Sequence, residues 1–201
     1  MRITRISHRR KYITAVYVDG REEPYLFDTT VVKQQGITEK TDISENEILR
    51  LSRLSQMNKA KERALRLLEF RSHSVKELKD KLKREYDEES TEYALEEMSR
   101  LGITDDLDFA RNKTRFFSEI KHYSPARIKR ELKIKGICDS FIETALSEYQ
   151  TDPADQIEII INKRFSPIPQ DEKGKRRMIN YLLRQGYSFS DIKRVIGEYT
   201  D

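Results

Sequence analysis

Four lysines stand at equivalent places in two similar stretches of the chain. Lys79 and Lys83 lie beside Leu78 and Leu82, and fifty residues later Lys129 and Lys133 lie beside Ile128 and Leu132. Residues four apart share one side of a helix, so each pair marks a cationic stripe turned away from the apolar positions. Lys76, Arg127 and Arg130 extend it. Such a stripe neutralises phosphates and releases their counterions; it breaks no bonds. The competing reading is a solvated face, where charge on an amphipathic helix usually sits. In a third copy the same sites are Ile179 and Leu183. The cationic track stops there, and that face is expected to be covered, by the chain or by a partner.

Other chemistry finds little support. There is no Gly-x-x-x-x-Gly-Lys loop to cradle phosphates and no paired-cysteine or His-Glu-x-x-His pattern to hold zinc. His8, His73 and His122 are scattered, and the last two precede helix starts as solvent-facing turn residues. Asp105, Asp106 and Asp108 could be drawn as a metal-binding nuclease cluster. A helix N-terminus explains them more simply, because acids there complement the helix dipole. Cys138, the only cysteine, reads as a small buried hydrophobe and excludes an internal disulfide. Tyr86, Tyr123, Tyr149 and Phe116 could stack on the bases of a single strand. For Tyr149 core packing is the stronger reading, since Tyr199 repeats it. No catalytic residue, metal or cofactor is expected, and the chain reads as a non-enzyme.

The lysines need helices to carry them. Ser124–Tyr149 reads as two short helices around a glycine turn: Ser124 as N-cap, Pro125 in the first turn, Gly136 in the left-handed position past the first helix. Ile128, Leu132, Gly136, Ile142, Leu146 and Tyr149 recur fifty residues on as Met178, Leu182, Gly186, Ile192, Ile196 and Tyr199. Fifty residues earlier Ser74, Leu78 and Leu82 match. Tyr86 stands in the glycine position, and Ala94-Leu95 matches Ala145-Leu146 after a one-residue slip. A fixed period of this size marks a helical repeat array.

Each repeat gains a preceding helix: Lys59–Phe70, the stretch after Thr104-Asp105-Asp106, and the stretch after Thr151-Asp152-Pro153. Ser44 with Glu47, and Ser74 with Glu77, form capping boxes. The first opens a helix towards Ser55, separate from Lys59–Phe70. Ahead of these, residues 11–18 are β-branched and aromatic, Asp19-Gly20 signals a hairpin, Pro24–Phe27 supplies the return, and Ile3–Ser7 is a candidate third strand. The fold class is therefore mainly α: tandem three-helix repeats forming a curved solenoid behind a small N-terminal β-hairpin element. The expected divisions are 1–42 (β-rich extension), 43–103 (linker helix and repeat one), 104–150 (repeat two) and 151–201 (repeat three).

Charged residues (37%) match hydrophobic ones (36%), which favours thin, solvent-lapped helices. The net charge is only +4, so electrostatics must come from local clusters. From Glu85 to Asp108 ten acids face one base; from Arg111 to Lys135 nine bases face two acids. Acidic stretches of this kind could meet basic loops on a protein partner. No apolar run approaches membrane-spanning length and no signal peptide is evident, so a cytoplasmic monomer without membrane contact is expected.

The runs LLEFRSHSVKELKDKL, LGITDDLDFAR and SPARIKRELKIKGI, in this order and spacing, resemble the RecX family of RecA regulators. Ser74–Leu82 and Asp105–Ala110 carry the most specific marks, and the N-terminal ITRIS followed by a hairpin looks like the extension of some Gram-positive members. Asp108, where a basic or neutral residue is expected, and the long proline-rich 166–174 segment depart from the pattern. The resemblance implies docking in the groove of the RecA–single-stranded-DNA filament. It also implies block of filament extension, ATP hydrolysis, strand exchange and co-protease activity, and hence modulation of recombinational repair and the SOS response. Two alternatives stay open: a stand-alone DNA-binding protein that competes for single strands, and a helical-repeat protein–protein scaffold.

Overall fold

The β-branched stretch near the N-terminus becomes the centre of a sheet. In the computed structural model, which describes residues 1–10 and 12–197, strand β1 (Ile3–Arg10) pairs antiparallel with β2 (Ile13–Val18), and β2 with β3 (Tyr25–Asp28). Tyr199, read above as a repeat of Tyr149, lies outside the described residues. The expected hairpin is thus a three-stranded sheet. Asp19-Gly20 does not form a two-residue turn, because Val16 pairs with Tyr25 and the connection is longer. Asp19 instead ties down the first strand: its Oδ1 accepts from the Arg2 amide at 2.6 Å and its own amide donates to Arg2 O at 3.0 Å.

Asp28 then caps the short helix α1 (Thr29–Gln34). A long helix, α2 (Glu45–Phe70), follows from the Ser44–Glu47 capping box, formed as the sequence suggests. Here the expectation of two helices is corrected. Neither glycine nor proline interrupts residues 55–59, so nothing ends the first turn run. Ser55, which looks like a terminus in the sequence, is buried inside the helix and accepts from the Asp28 amide at 3.0 Å. The first half of α2 gives Ile48 and Leu51 to a core with Ile3, Val16, Val18, Phe27, Val31 and Val32. The second half gives Ala60 and Ala64 to a second core with Leu78 and Leu82 of α3 (Val75–Leu82) and Ala94, Leu95 and Met98 of α4 (Glu88–Arg100). Alanines on α2 let α4 approach closely.

The chain forms two compact units, Met1–Thr104 and Asp105–Asp201. The second holds α5 (Asp106–Glu119), α6 (Pro125–Ile134) and α7 (Asp139–Glu148), then α8 (Pro153–Arg164), α9 (Glu172–Arg184) and α10 (Phe189–Gly197). Each trio closes on its own core: Phe109, Ile128, Leu132, Ile142 and Ala145 in one, Ile157, Ile161, Met178, Leu182 and Ile192 in the other. Asp105 caps α5 by accepting from the Leu107 and Asp108 amides at 2.8 and 3.1 Å. Gly136 closes α6 with positive φ, and the Ile137 amide reaches back to Leu132 O. In the proline-rich segment Asp171 becomes the N-cap of α9, so that helix begins before Gly174, the counterpart of the Ser124 cap. Among the described residues no helix is long and apolar enough to cross a membrane.

Candidate partner and nucleic-acid interface

The repeated lysines sit on α3 and at the equivalent places on α6, but each faces carboxylates. Lys79 reaches Glu92 and, at 3.4 Å, Glu88; Lys83 reaches Glu88 at 2.7 Å. One repeat later Lys133 pairs with Asp139 at 2.9 Å, and Lys129 lies 3.4 Å from Glu143 and 3.9 Å from Asp139. Glu88 and Asp139 occupy the first turns of α4 and α7, where the helix dipole favours them, and Glu92 and Glu143 lie one turn further on. Two cations and two anions thus bridge the second and third helix of each of these two repeats. The charges feel one another: Glu92 and then Glu88 raise the Lys79 ammonium above its ordinary value, Lys83 lowers the Glu88 carboxyl, and Lys133 lowers that of Asp139. The quartets were legible in principle. The one-residue slip that aligns Ala94 with Ala145 also aligns Glu88 and Glu92 with Asp139 and Glu143.

Lys76 and Arg130 are exposed on the same two helices. Arg127 is used internally. Its guanidinium lies 3.7 Å from the centre of the Tyr123 ring and donates to Arg184 O and, at 3.1 Å, to Gln185 Oε1. Beside it, Ser124 Oγ donates to Gly186 O at 2.7 Å and Tyr187 Oη to His122 O at 3.1 Å. These contacts join the second and third repeats. Gly186 has φ +92°, and a Cβ there would stand 2.5 Å from Ser124 Oγ.

Three expectations are corrected. His73 is not a solvent-facing turn residue: it is buried, its Nδ1 lies 2.9 Å from Arg71 O, and burial pushes its imidazole below the ordinary value. His122 is half-buried between Gln156 Oε1 at 3.1 Å and Lys163 Nζ at 3.3 Å. Cys138 is exposed rather than buried, because it takes the N-cap place of α7, where its thiol meets Ser140 Oγ at 3.2 Å. Of the aromatic candidates, Phe116 is the most open, with Lys113 and Lys121 over its ring at 5.8 and 5.6 Å. Tyr123 stacks on Phe117, Tyr86 is half-buried, and Tyr149 Oη donates to Glu119 at 2.6 Å.

A cationic group that sequence reading passed over lies on α9. Lys173, Arg176 and Arg177 are exposed and Lys175 half-buried, and among the described residues none of them makes an ion pair. Their signal is the run Lys173–Arg177 itself, which carries four bases in five residues.

Comparison with known proteins places these features in context. Models of the first, second and third three-helix domains of RecX match residues 60–98, 105–146 and 150–196. The chain is 33% identical to "Regulatory protein RecX" of Prosthecochloris aestuarii, over 72% of this chain and 95% of that one. It is 28% identical to the Bacillus pumilus protein of the same name, over 99% and 78%, and 29% identical to that of Clostridium acetobutylicum, over 98% and 95%. A crystal structure of regulatory protein RecX superposes with TM-score 0.73 over 98% of both chains at 23% identity. That of RecX from Lactobacillus salivarius gives 0.57 over 71% of this chain and 96% of that one at 25% identity.

Proposed function

The chain belongs to the RecX family, and from that premise we propose that it regulates RecA by binding the RecA–single-stranded-DNA filament. Binding there inhibits filament extension and with it ATP hydrolysis, strand exchange and co-protease activity, so that recombinational repair and the SOS response are modulated. The observation that carries this reading is the run of three family domains in order from residue 60 to residue 196. The protein acts without catalysis and without a cofactor, as a cytoplasmic monomer. The faces bearing Lys76, Lys79, Lys83, Lys129, Arg130 and Lys133 meet phosphates or acidic filament surface, with Arg127 holding the frame behind them.

The cations of α9 that make no ion pair among the described residues favour a second reading, competition for single strands by direct phosphate contact. Recombinase ATPase on single-stranded DNA separates the two. With the protein titrated well below the number of RecA protomers, hydrolysis is expected to fall, since so little protein cannot mask the DNA. A fall only once the protein covers the DNA selects the competitor. No fall at any ratio leaves a repeat scaffold.

A further inference from the structure

In the first two repeats the groove between second and third helix is bridged by a charge quartet. Its members are Lys79, Lys83, Glu88 and Glu92 in one, and Lys129, Lys133, Asp139 and Glu143 in the other. Fifty residues on from the second quartet the four positions are Ile179, Leu183, Phe189 and Lys193. Three of the four charged groups have become apolar, and the acid that would pair across the groove has become a lysine. The helices there leave a cavity of about 220 Å³, lined by Ile179, Phe189, Ile192, Lys193, Ile196 and Gly197. Phe189 is 59% exposed and Leu183 41%. Among the described residues Lys193 makes no ion pair, nor does Lys175, one turn before Ile179.

We propose that the α9–α10 groove of the third repeat is a docking site for an acidic amphipathic segment of a protein partner. An apolar side chain of that segment enters between Ile179, Ile192 and Ile196, and a carboxylate about one turn away meets Lys193. Charge chooses the occupant. Lys193 lines the groove, and Lys175 and Arg176 precede Ile179 by one turn on α9, so a second copy meeting it through the same groove would bring the same cations against it. A nucleobase could stack on Phe189 but would find no acceptor side chain in the lining to read its edge. An amphipathic helix laid in an apolar groove satisfies both the walls and the rim. The inference deepens the filament reading and rests on it for the identity of the partner, but not for the chemistry of the groove.

The test replaces the groove with the quartet that already closes repeat two: Ile179→Lys, Leu183→Lys, Phe189→Asp and Lys193→Glu together. The probe is a fluorescein-labelled helical peptide of Glu with Leu and Phe at i, i+3, i+4 and i+7 spacing, followed by anisotropy on the full chain. The native chain should bind it, and the quartet variant should bind at least tenfold more weakly at unchanged helical circular dichroism. A variant that fails to fold is replaced by Lys193→Glu alone, which should weaken binding by a similar factor. No binding to the native chain, equal binding by the variants, or displacement of the peptide by oligo-dT overturns the proposal. So does a native dimer that the substitutions convert to monomer. ATPase inhibition is measured alongside. Peptide binding without inhibition by the native chain removes the filament reading and leaves the groove. Inhibition without peptide binding does the reverse.

Discussion

Single side chains in this protein carry more structural duty than their types suggest. His73 was the least legible. A histidine before a helix cap looks like a surface residue, yet Ser74 and His73 are both buried, and desolvation pushes the imidazole below its ordinary value. The unfolded chain therefore takes up a proton near the ordinary value while the folded chain resists it. Stability from this residue is present above that value and drains away as pH falls towards the depressed folded one. In urea titrations between pH 7.5 and pH 5, His73→Gln is expected to flatten the acid-side loss; parallel curves for both proteins would assign that loss to other groups. Cys138 misled for the opposite reason. A free cysteine is usually buried, but position as an N-cap, which needs the helix start to be known, brings it to the surface.

At the scale of elements the helical period was readable because glycine and apolar spacing recur together, as at Leu132-Gly136 and Leu182-Gly186. What was not readable is the continuity of α2. Helix boundaries depend on what the polar residues near them touch, and the partner of Ser55 lies 27 residues away in sequence. Ser55→Ala leaves the buried Asp28 amide without its acceptor. The expected cost is about 1–3 kcal/mol, read as a lower urea midpoint at unchanged slope. A change within about 0.3 kcal/mol would mean that the tie is dispensable. The charge quartets show the same limit. Lysines and acids were each visible as runs, but the pairing needs the α3–α4 and α6–α7 turns to bring them face to face.

For the whole molecule, the lysines of each repeat must act against their own carboxylates. The proposed phosphate contact by Lys79, Lys83, Lys129 and Lys133 would exchange intramolecular partners for external ones and be weaker for it. Changing all four to Gln removes charge without setting new anions against Glu88 and Asp139. Filament binding at physiological salt is expected to weaken several-fold, with a shallower dependence on salt concentration. Unchanged affinity and slope would remove these lysines from the interface. The run on α9 offers cations with no such competition among the described residues, and its helix also borders the apolar groove. The N-terminal sheet bears on the first repeat in another way. Helix α2 lends one half to the sheet core and the other to the core with α3 and α4. A helix propagates cooperatively, so melting at one end is felt at the other. Sheet and first repeat are therefore expected to open as one foldon: amide protons in the middle of α2 should exchange only when both cores are lost together, and trimming the N-terminus should loosen the first repeat as well.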